Sequence, residues 1–361
     1  MSFRDIRDQA VPVRLLRNML RGNRIPNGLL FWGPGGVGKG MTAMEMAKAI
    51  NCAHGEFDAC DACLSCRKVK SGNHPGLTLI APVKKSRIIG VEAVQSMNEM
   101  ASLRTVESKW RVFIIQEADR MGIPAQSKFL KTLEEPPGNS LFILLTEFPG
   151  MLLPTIRSRC QRIRFGPLRP ETIVELLRRG RDLPEDVAQS IAALAQGQMS
   201  RAIDLVDSDK REIALDITRR LAEGHDPVAL AEEFAGHLDN RRQHIESEHK
   251  ADLNDTDLND VSQEDRDQIR EQQKALAEAH IRRDIMEYLY LLETWYRDVT
   301  VYCVTRDPAR VLNHDQQARL DGAPISDMDR KITAIDKARL YLERNLKEER
   351  VFRDLFFALA E

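Results

Sequence analysis

The sequence lacks any long apolar run. No stretch of its 361 residues approaches the roughly 18–20 apolar residues that cross a bilayer. The opening MSFRDIRDQAVPVRLL is charged from residue 4 onward and has neither the apolar core nor the cleavage site of a secretory signal. The expectation is a cytoplasmic protein with no membrane partner. An excess of charge is also missing. Lys and Arg total 53 against 55 Asp and Glu, a net charge of −2, so the surface as a whole is no polycation, and any DNA contact must come from a local patch. Aromatic residues are few, at 6%. Tyr288, Tyr290, Trp295, Tyr296 and Tyr302 have no basic run beside them, so their spacing reads as helix core rather than a base-stacking platform. Cysteine is scarce too, with six in all. A reducing compartment argues against disulfides, yet four of the six fall within residues 52–66, which points to a metal.

The 42% of hydrophobic and 30% of charged residues are those of a globular protein, and the length suits two or three domains. From about residue 28 to 166 short apolar runs alternate with amphipathic stretches. Leu29–Trp32, Leu77–Ile80, Val112–Ile115, Leu141–Leu145 and a short Ile163–Phe165 read as strands. Residues 39–52 and a segment carrying Val91, Val94 and Met97 read as helices. Strands apolar throughout, separated by helices, predict a parallel sheet covered on both faces. Gly166-Pro167-Leu168-Arg169-Pro170 breaks the pattern and marks a domain boundary. Beyond it the chain reads as helical, with a small unit over 171–206 and a larger one over about 211–361. Between about 239 and 284 it is very polar, as a solvated loop or exposed helix would be.

Four motifs carry chemistry. Gly33-Pro34-Gly35-Gly36-Val37-Gly38-Lys39-Gly40 follows a predicted strand and opens a helix, as a phosphate-binding P-loop requires. Its backbone N–H groups and helix N-terminus favour phosphate, and Lys39 neutralises it. The next position should be Ser or Thr for Mg²⁺, and it is Gly40; Thr42 lies roughly 200° further around the helix. The second motif ends strand 112–115 with Gln116-Glu117, where a Walker B element has Asp-Glu. Gln116 is a poor Mg²⁺ partner, while Glu117, the residue that polarises water, is kept. Lys39 and the loop leave binding of ATP or ADP open, Mg²⁺ is doubtful, and the chain's own hydrolysis is expected to be weak or absent. Third, Cys52, Cys60, Cys63 and Cys66 suit tetrahedral Zn²⁺ in a closed, structural site. Cys160 and Cys303 stand alone and read as buried small apolar residues. Fourth, Thr155-Ile156-Arg157-Ser158-Arg159-Cys160 reads either as a solvated loop or as a source of an arginine finger acting in trans. His74 and Asp119 read as local capping or surface residues.

Together these residues resemble a bacterial DNA polymerase III clamp loader subunit of the AAA+ class. Leu130-Lys131-Thr132-Leu133-Glu134-Glu135-Pro136-Pro137, Ser158-Arg159-Cys160 and the four-cysteine insertion after the P-loop helix carry the resemblance over residues 3–206. Trp295-Tyr296-Arg297-Asp298 and Leu342-Glu343-Arg344-Asn345 extend it more weakly. Gly40, Gln116, Gly72-Asn73-His74-Pro75, and Ser200 where a motor subunit carries Arg, favour the delta-prime type over the gamma/tau type. Arg201, one position later, is rotated by about 100°.

The resemblance implies an α/β AAA+ P-loop domain with a parallel sheet over 1–166, including the four-cysteine zinc insertion at 52–66. A small helical lid over 167–210 follows, then an all-α collar over 211–361 with a polar insertion at about 239–280. It implies a stator that joins gamma/tau and delta subunits to load the sliding clamp onto primer-template DNA. Arg159 is then the finger for a neighbouring ATPase, and Thr146 falls at the sensor 1 position, to orient water or phosphate or simply to end a strand. The alternatives are an ATP-hydrolysing gamma/tau-type motor and a stand-alone, zinc-containing DNA-binding AAA+ protein.

Overall fold

The computed structural model describes residues 2–55, 57–82, 88–102, 108–254, 263–323 and 327–361, with backbone only at 248–254 and 263–276. The chain divides into two compact units, Met1–Ile173 with Gln196–Arg201, and Val174–Ala195 with Ala202–Glu361.

In the first unit the order is α1 (Ala10–Arg21), β1 (Gly28–Trp32), α2 (Lys39–Asn51), α3 (Leu64–Lys70), β2 (Leu77–Ile80), α4 (Val91–Ser102), β3 (Arg111–Ile115), α5 (Ile123–Glu134), β4 (Ser140–Thr146), α6 (Pro154–Arg159) and β5 (Gln161–Arg164). The five strands form one parallel sheet in the order β2-β3-β4-β1-β5. Successive side chains in a strand point to opposite faces, and both faces are filled. Leu29, Phe31, Ile114, Ile143 and Leu145 pack on one side with Met46 and Ile50 of α2. Leu30, Phe113, Ile115, Phe142 and Leu144 pack on the other with Met97 of α4 and Phe129 of α5. Hence the strands are apolar at every position rather than at alternate ones. Phe142 stacks on Phe113 at 5.1 Å and takes the edge of Phe129 at 5.4 Å, which fixes α5 against the central strand.

Five strands were expected and five are present among the described residues, with ends shifted by a residue or two. Phe165 falls outside β5, though its N–H still donates to Trp32 O at 2.8 Å. Strand β1 lies between β4 and β5, so its neighbours come from distant parts of the chain. The loop after β1 therefore opens at the crevice where parallel sheets bind ligands.

Beyond the sheet the described chain is helical: α7 (Pro170–Arg178), α8 (Glu185–Leu194), α9 (Met199–Asp207), α10 (Lys210–Ala222), α11 (Pro227–Asn254), α12 (Gln263–Thr305), α13 (Gln317–Asp321), α14 (Met328–Glu343) and α15 (Glu348–Ala360). In the second unit Phe234 of α11 meets Tyr288 of α12 and Phe352 of α15 edge-on at 5.0 and 4.8 Å. Tyr288, Trp295, Tyr296 and Tyr302 are buried as expected of a helix core, while Tyr290 is only half-buried. The polar stretch expected over 239–284 is carried by the end of α11 and the start of α12, and residues 255–262 lie outside the described residues.

Two charge clusters tie these helices together. Lys210 and Asp284, both nearly buried, pair at 2.7 Å, and Arg241 reaches the other oxygen of Asp284 at 3.0 Å. Asp298, fully buried, accepts from the Leu312 and Asn313 N–H groups and from the Asn313 amide at 2.8–2.9 Å.

Candidate functional site

The loop from Gly33 to Gly38 needs glycine at three places. Gly33, Gly36 and Gly38 have φ of +145°, +66° and +95°, conformations that side-chain-bearing residues adopt only with strain. Gly38 is the N-cap of α2, so the N–H groups of a 13-residue helix open toward the loop. Gly33 N–H bonds to Thr146 O at 3.3 Å, which joins the loop to the end of β4. Lys39 is buried, and its Nζ donates to Gly33 O at 2.6 Å and Pro34 O at 2.5 Å. Burial pulls the Lys39 ammonium below its usual range, against the pull of the Glu147 and Asp119 charges. Val37 is buried and its carbonyl accepts from Gln9.

The two positions that depart from a metal-holding loop are open to inspection. A Cβ at Gly40 would meet only Leu145 Cδ1, at 3.8 Å, so nothing steric excludes a hydroxyl residue there. Gln116 is exposed at the end of β3, and its N–H is taken by Ile80 O. Thr42 is turned away, its hydroxyl bonded to Gly38 O at 2.8 Å. Glu117 follows with φ +45°, in the left-handed region, and pairs with Arg120 at 3.7 Å.

Thr146 is buried. Its hydroxyl donates to Asp119 at 2.5 Å and accepts from Phe148 N–H at 2.9 Å. Asp119 is therefore bonded at the end of the sheet, not a simple surface residue. Gly35 lies against Glu147, whose Oε1 is 2.7 Å from where a Cβ would stand. Gly36 lies against Ser200, whose Oγ is 2.6 Å from the corresponding point. Arg201 instead turns back on its own loop and bonds Gln196 at 3.1 Å.

Three residues of this site carried no signal in the sequence. Gln9 is buried and clasps Gly166 from both sides, donating at 2.8 Å and accepting at 3.1 Å. Glu147 has no motif of its own beyond following Thr146. Asp119 follows Glu117 by two residues, but its reach to Thr146 is a long-range contact.

Arg159 is placed elsewhere, at the exposed end of α6. It pairs with Glu134 at 2.5 Å and bonds Thr155 O at 3.3 Å. Its neighbour Cys160 is buried under β1, and burial pushes the thiol up to about 12. Cys303 was expected to be buried too, and it is only half-buried.

The Sγ atoms of Cys52, Cys60, Cys63 and Cys66 all lie within 4.8 Å of one another, with Cys52 and Cys63 4.0 Å apart. A tetrahedron with metal–sulfur bonds of about 2.3 Å has edges of about 3.8 Å, so the cluster fits a metal ion after a small contraction. Backbone N–H groups of Gly55, Cys60, Cys63 and Cys66 point at these sulfurs at 3.1–3.4 Å, an arrangement that favours thiolate. Burial opposes ionisation of Cys63, but N–H groups of Ala53 and Cys66 and neighbouring thiols outweigh it and bring the thiol to about 6. Asp61 pairs with Lys48 at 2.6 Å, and Lys48 with Glu45 at 2.7 Å, so the cysteine loop is anchored to the P-loop helix. His74 was expected as a local capping or surface residue, and the structure gives it the capping role. It is buried, bonded to Ser65 and to Gly76 N–H at 3.0 and 3.1 Å, and it braces the chain after α3.

The family described as DNA polymerase III, delta subunit, matches residues 8–169. The chain is 34% identical over 204 residues to DNA polymerase III subunit delta' of Bacillus subtilis, covering 55% of this chain and 59% of that one. It is 31% identical over 211 residues to DNA polymerase III subunit tau of the same organism, covering 57% and 37%. The chain thus spans less than two thirds of the length of these relatives. A gamma subunit-related protein of Thermotoga maritima, of known structure, is similar over 98% of this chain and 99% of its own, with a TM-score of 0.41 at 14% identity. Among the described residues no helix is long and apolar enough to cross a membrane. Over residues 8–169 the chain matches the family described as DNA polymerase III, delta subunit, and over that part it is similar to clamp loader subunits of the delta-prime type.

Proposed function

We propose that this chain is a delta-prime-like stator of the DNA polymerase III clamp loader. In this reading it holds nucleotide weakly or idly and supplies Arg159 to the ATP of an adjacent gamma/tau subunit. The observation that carries it is the split character of the nucleotide loop. Lys39 is buried within it against Gly33 O and Pro34 O, while the two positions that would hold Mg²⁺ are Gly40 and Gln116. A loop of this kind can cradle phosphate, but it has lost the groups that place the metal for hydrolysis.

In the same reading Arg159, exposed at the end of α6, stabilises charge on the transferring phosphoryl group of the neighbour. The cysteine cluster holds zinc in a closed structural site, and the division into P-loop domain (1–166), lid (167–210) and collar (211–361) is that of the clamp loader ring. Partners are gamma/tau and delta subunits, with the sliding clamp and primer-template DNA reached through the assembly in the cytoplasm.

The test is co-purification of the full chain with gamma/tau and delta subunits, followed by DNA-stimulated ATPase assay with and without it. Joining the complex and raising its ATPase supports the reading, and failure to join refutes it. Turnover by the purified chain alone, comparable to that of gamma/tau, favours instead the motor-type alternative.

A further inference from the structure

Glu147 directly follows β4 and is exposed. Its carboxylate faces the glycine loop: Oε1 and Oε2 lie 2.7 and 3.4 Å from where a Cβ on Gly35 would stand. Gly35 belongs to the turn that Lys39 closes through its bonds to Gly33 O and Pro34 O. Asp119 is held at the same end of the sheet by the Thr146 hydroxyl. Burial pulls the Lys39 ammonium down, and the Glu147 charge, followed by that of Asp119, pushes it back up. A negative field therefore already acts on the cation that a phosphate would meet.

The two carboxylates differ in their bonding. Asp119 is committed to Thr146. Glu147 makes no hydrogen bond or ion pair among the described residues, so its charge is uncompensated. A phosphate loop gathers anionic charge through its N–H groups, and its lysine answers the β- and γ-phosphates. A fixed, unpaired carboxylate at that loop opposes the phosphate nearest to it. Glu147 adjoins Thr146, the position read as orienting water or phosphate, so the opposition falls on the terminal phosphate of a triphosphate. Gly40 and Gln116 supply no metal ion to offset the added charge.

We infer that Glu147 is a specificity-determining residue of the glycine loop, an internal anion that admits a nucleoside diphosphate and disfavours a triphosphate. This rests on the reading of the loop as a nucleotide holder and deepens it by naming the nucleotide. One unit charge about 6 Å from another, at an effective dielectric of about 40, weakens binding about tenfold.

The experiment is equilibrium fluorescence titration of the full chain with methylanthraniloyl-ADP and methylanthraniloyl-ATP, in EDTA and again in Mg²⁺. The native protein is compared with Glu147→Gln, which keeps the size and removes the charge, and with Glu147→Asp, which keeps the charge. Glu147 is exposed and makes no bond among the described residues, so both variants should melt like the native chain. In EDTA the native chain should hold the diphosphate about tenfold more tightly than the triphosphate. Glu147→Gln should close most of that gap by tightening the triphosphate, while Glu147→Asp should retain it. Equal binding of both nucleotides by the native chain, or a gap that Glu147→Gln leaves unchanged, overturns the inference and leaves the nucleotide-holding loop standing. A triphosphate that Glu147→Gln weakens only in Mg²⁺ also overturns it, since Glu147 would then hold a metal ion in place of the groups missing at 40 and 116. If neither nucleotide binds the native chain or either variant, the nucleotide reading of the loop falls and the inference falls with it.

Discussion

Replacing Arg159 with alanine separates a structural role from a functional one. The side chain is 39% exposed and its partner Glu134 is 48% exposed. An ion pair in that setting contributes about 0.2–1 kcal/mol, because water and salt screen it and two long side chains must be ordered to make it. The bond to Thr155 O is also exposed, so its loss leaves no buried group unsatisfied. Arg159→Ala should therefore cost the isolated chain less than about 1 kcal/mol and move its melting temperature by only a few degrees. An arginine finger, by contrast, is worth about 10³-fold or more in the partner's hydrolysis, equivalent to about 4 kcal/mol of barrier. The two readings thus differ by several kcal/mol in where the effect falls. Thermal melting of the isolated variant reads the first quantity. Single-turnover hydrolysis in the reconstituted complex, at saturating clamp and primed DNA, reads the second. A variant complex that hydrolyses ATP at the native rate refutes the finger. So does a variant that melts far below the native chain, because the kinetic loss would then be a folding defect. Glu134→Ala serves as the internal control: it breaks the same ion pair but leaves the guanidinium, and it should retain most of the hydrolysis.

Further outcomes follow from the loop, the cysteines and the helical unit. Gly36→Ala puts a Cβ in the left-handed region and against Ser200, and it should cost about 2 kcal/mol or more and weaken a fluorescent ATP analogue at least tenfold in a titration. Gly40→Ser meets only Leu145 at 3.8 Å and should leave stability unchanged or raise it by about 0.5 kcal/mol, as read in urea unfolding. Cys63→Ser should lose nearly all zinc released to a colorimetric chelator, whereas Cys160→Ser, outside the cluster, should keep it; equal zinc in both variants defeats the site. Asp284→Asn leaves Lys210 buried with only the half-exposed Asp204 at 2.8 Å, and the expected loss is about 3 kcal/mol. Burial raises the Asp284 carboxyl, but hydrogen bonds from Lys210 and Arg241 outweigh it and hold it below its ordinary 3.8. Its contribution is complete above pH 3.8 and is lost as pH falls through the lower folded-state value, so the gap between native and variant stability should close only in that acid range.

What the sequence made legible is what local chemistry decides. Five apolar runs between amphipathic ones specify a buried parallel sheet, because a strand covered on both faces has no polar side to alternate with. Left-handed φ at Gly33, Gly36 and Gly38 is a demand that only the local residue can meet, so the loop announces itself. The two overlapping CxxC spacings keep the sulfurs of Cys60, Cys63 and Cys66 close in sequence, and Cys52, just after α2, joins them in the fold. The residues that stayed hidden are those whose roles depend on parts of the chain far apart in sequence. Gln9 bonds Gly166, 157 positions away, and nothing near Gln9 encodes that meeting. Ser200 reaches Gly36 only once the segment 196–201 has folded with the first unit. His74 read as a local capping or surface residue; it does cap Gly76 N–H, but its burial against Ser65 was not legible.

The same distinction bears on the nucleotide site. Loss of Mg²⁺-holding groups at 40 and 116 is visible residue by residue, and the space beside Gly40 means that the glycine is not there for want of room. Sterics therefore do not account for the glycine, whereas the proposed stator role, with its relaxed demand for metal at this loop, does. On the proposed reading the loop is kept for shape: Lys39 bonded to the carbonyls of Gly33 and Pro34 holds the turn that seats Ser200 and joins β1 to the end of β4. In that role Lys39→Met, which keeps the stem but removes the ammonium, should destabilise the chain by about 1–3 kcal/mol by leaving those carbonyls unsatisfied, with or without nucleotide present. A variant that melts like the native chain and loses only nucleotide binding would mean that the loop is still kept for its ligand.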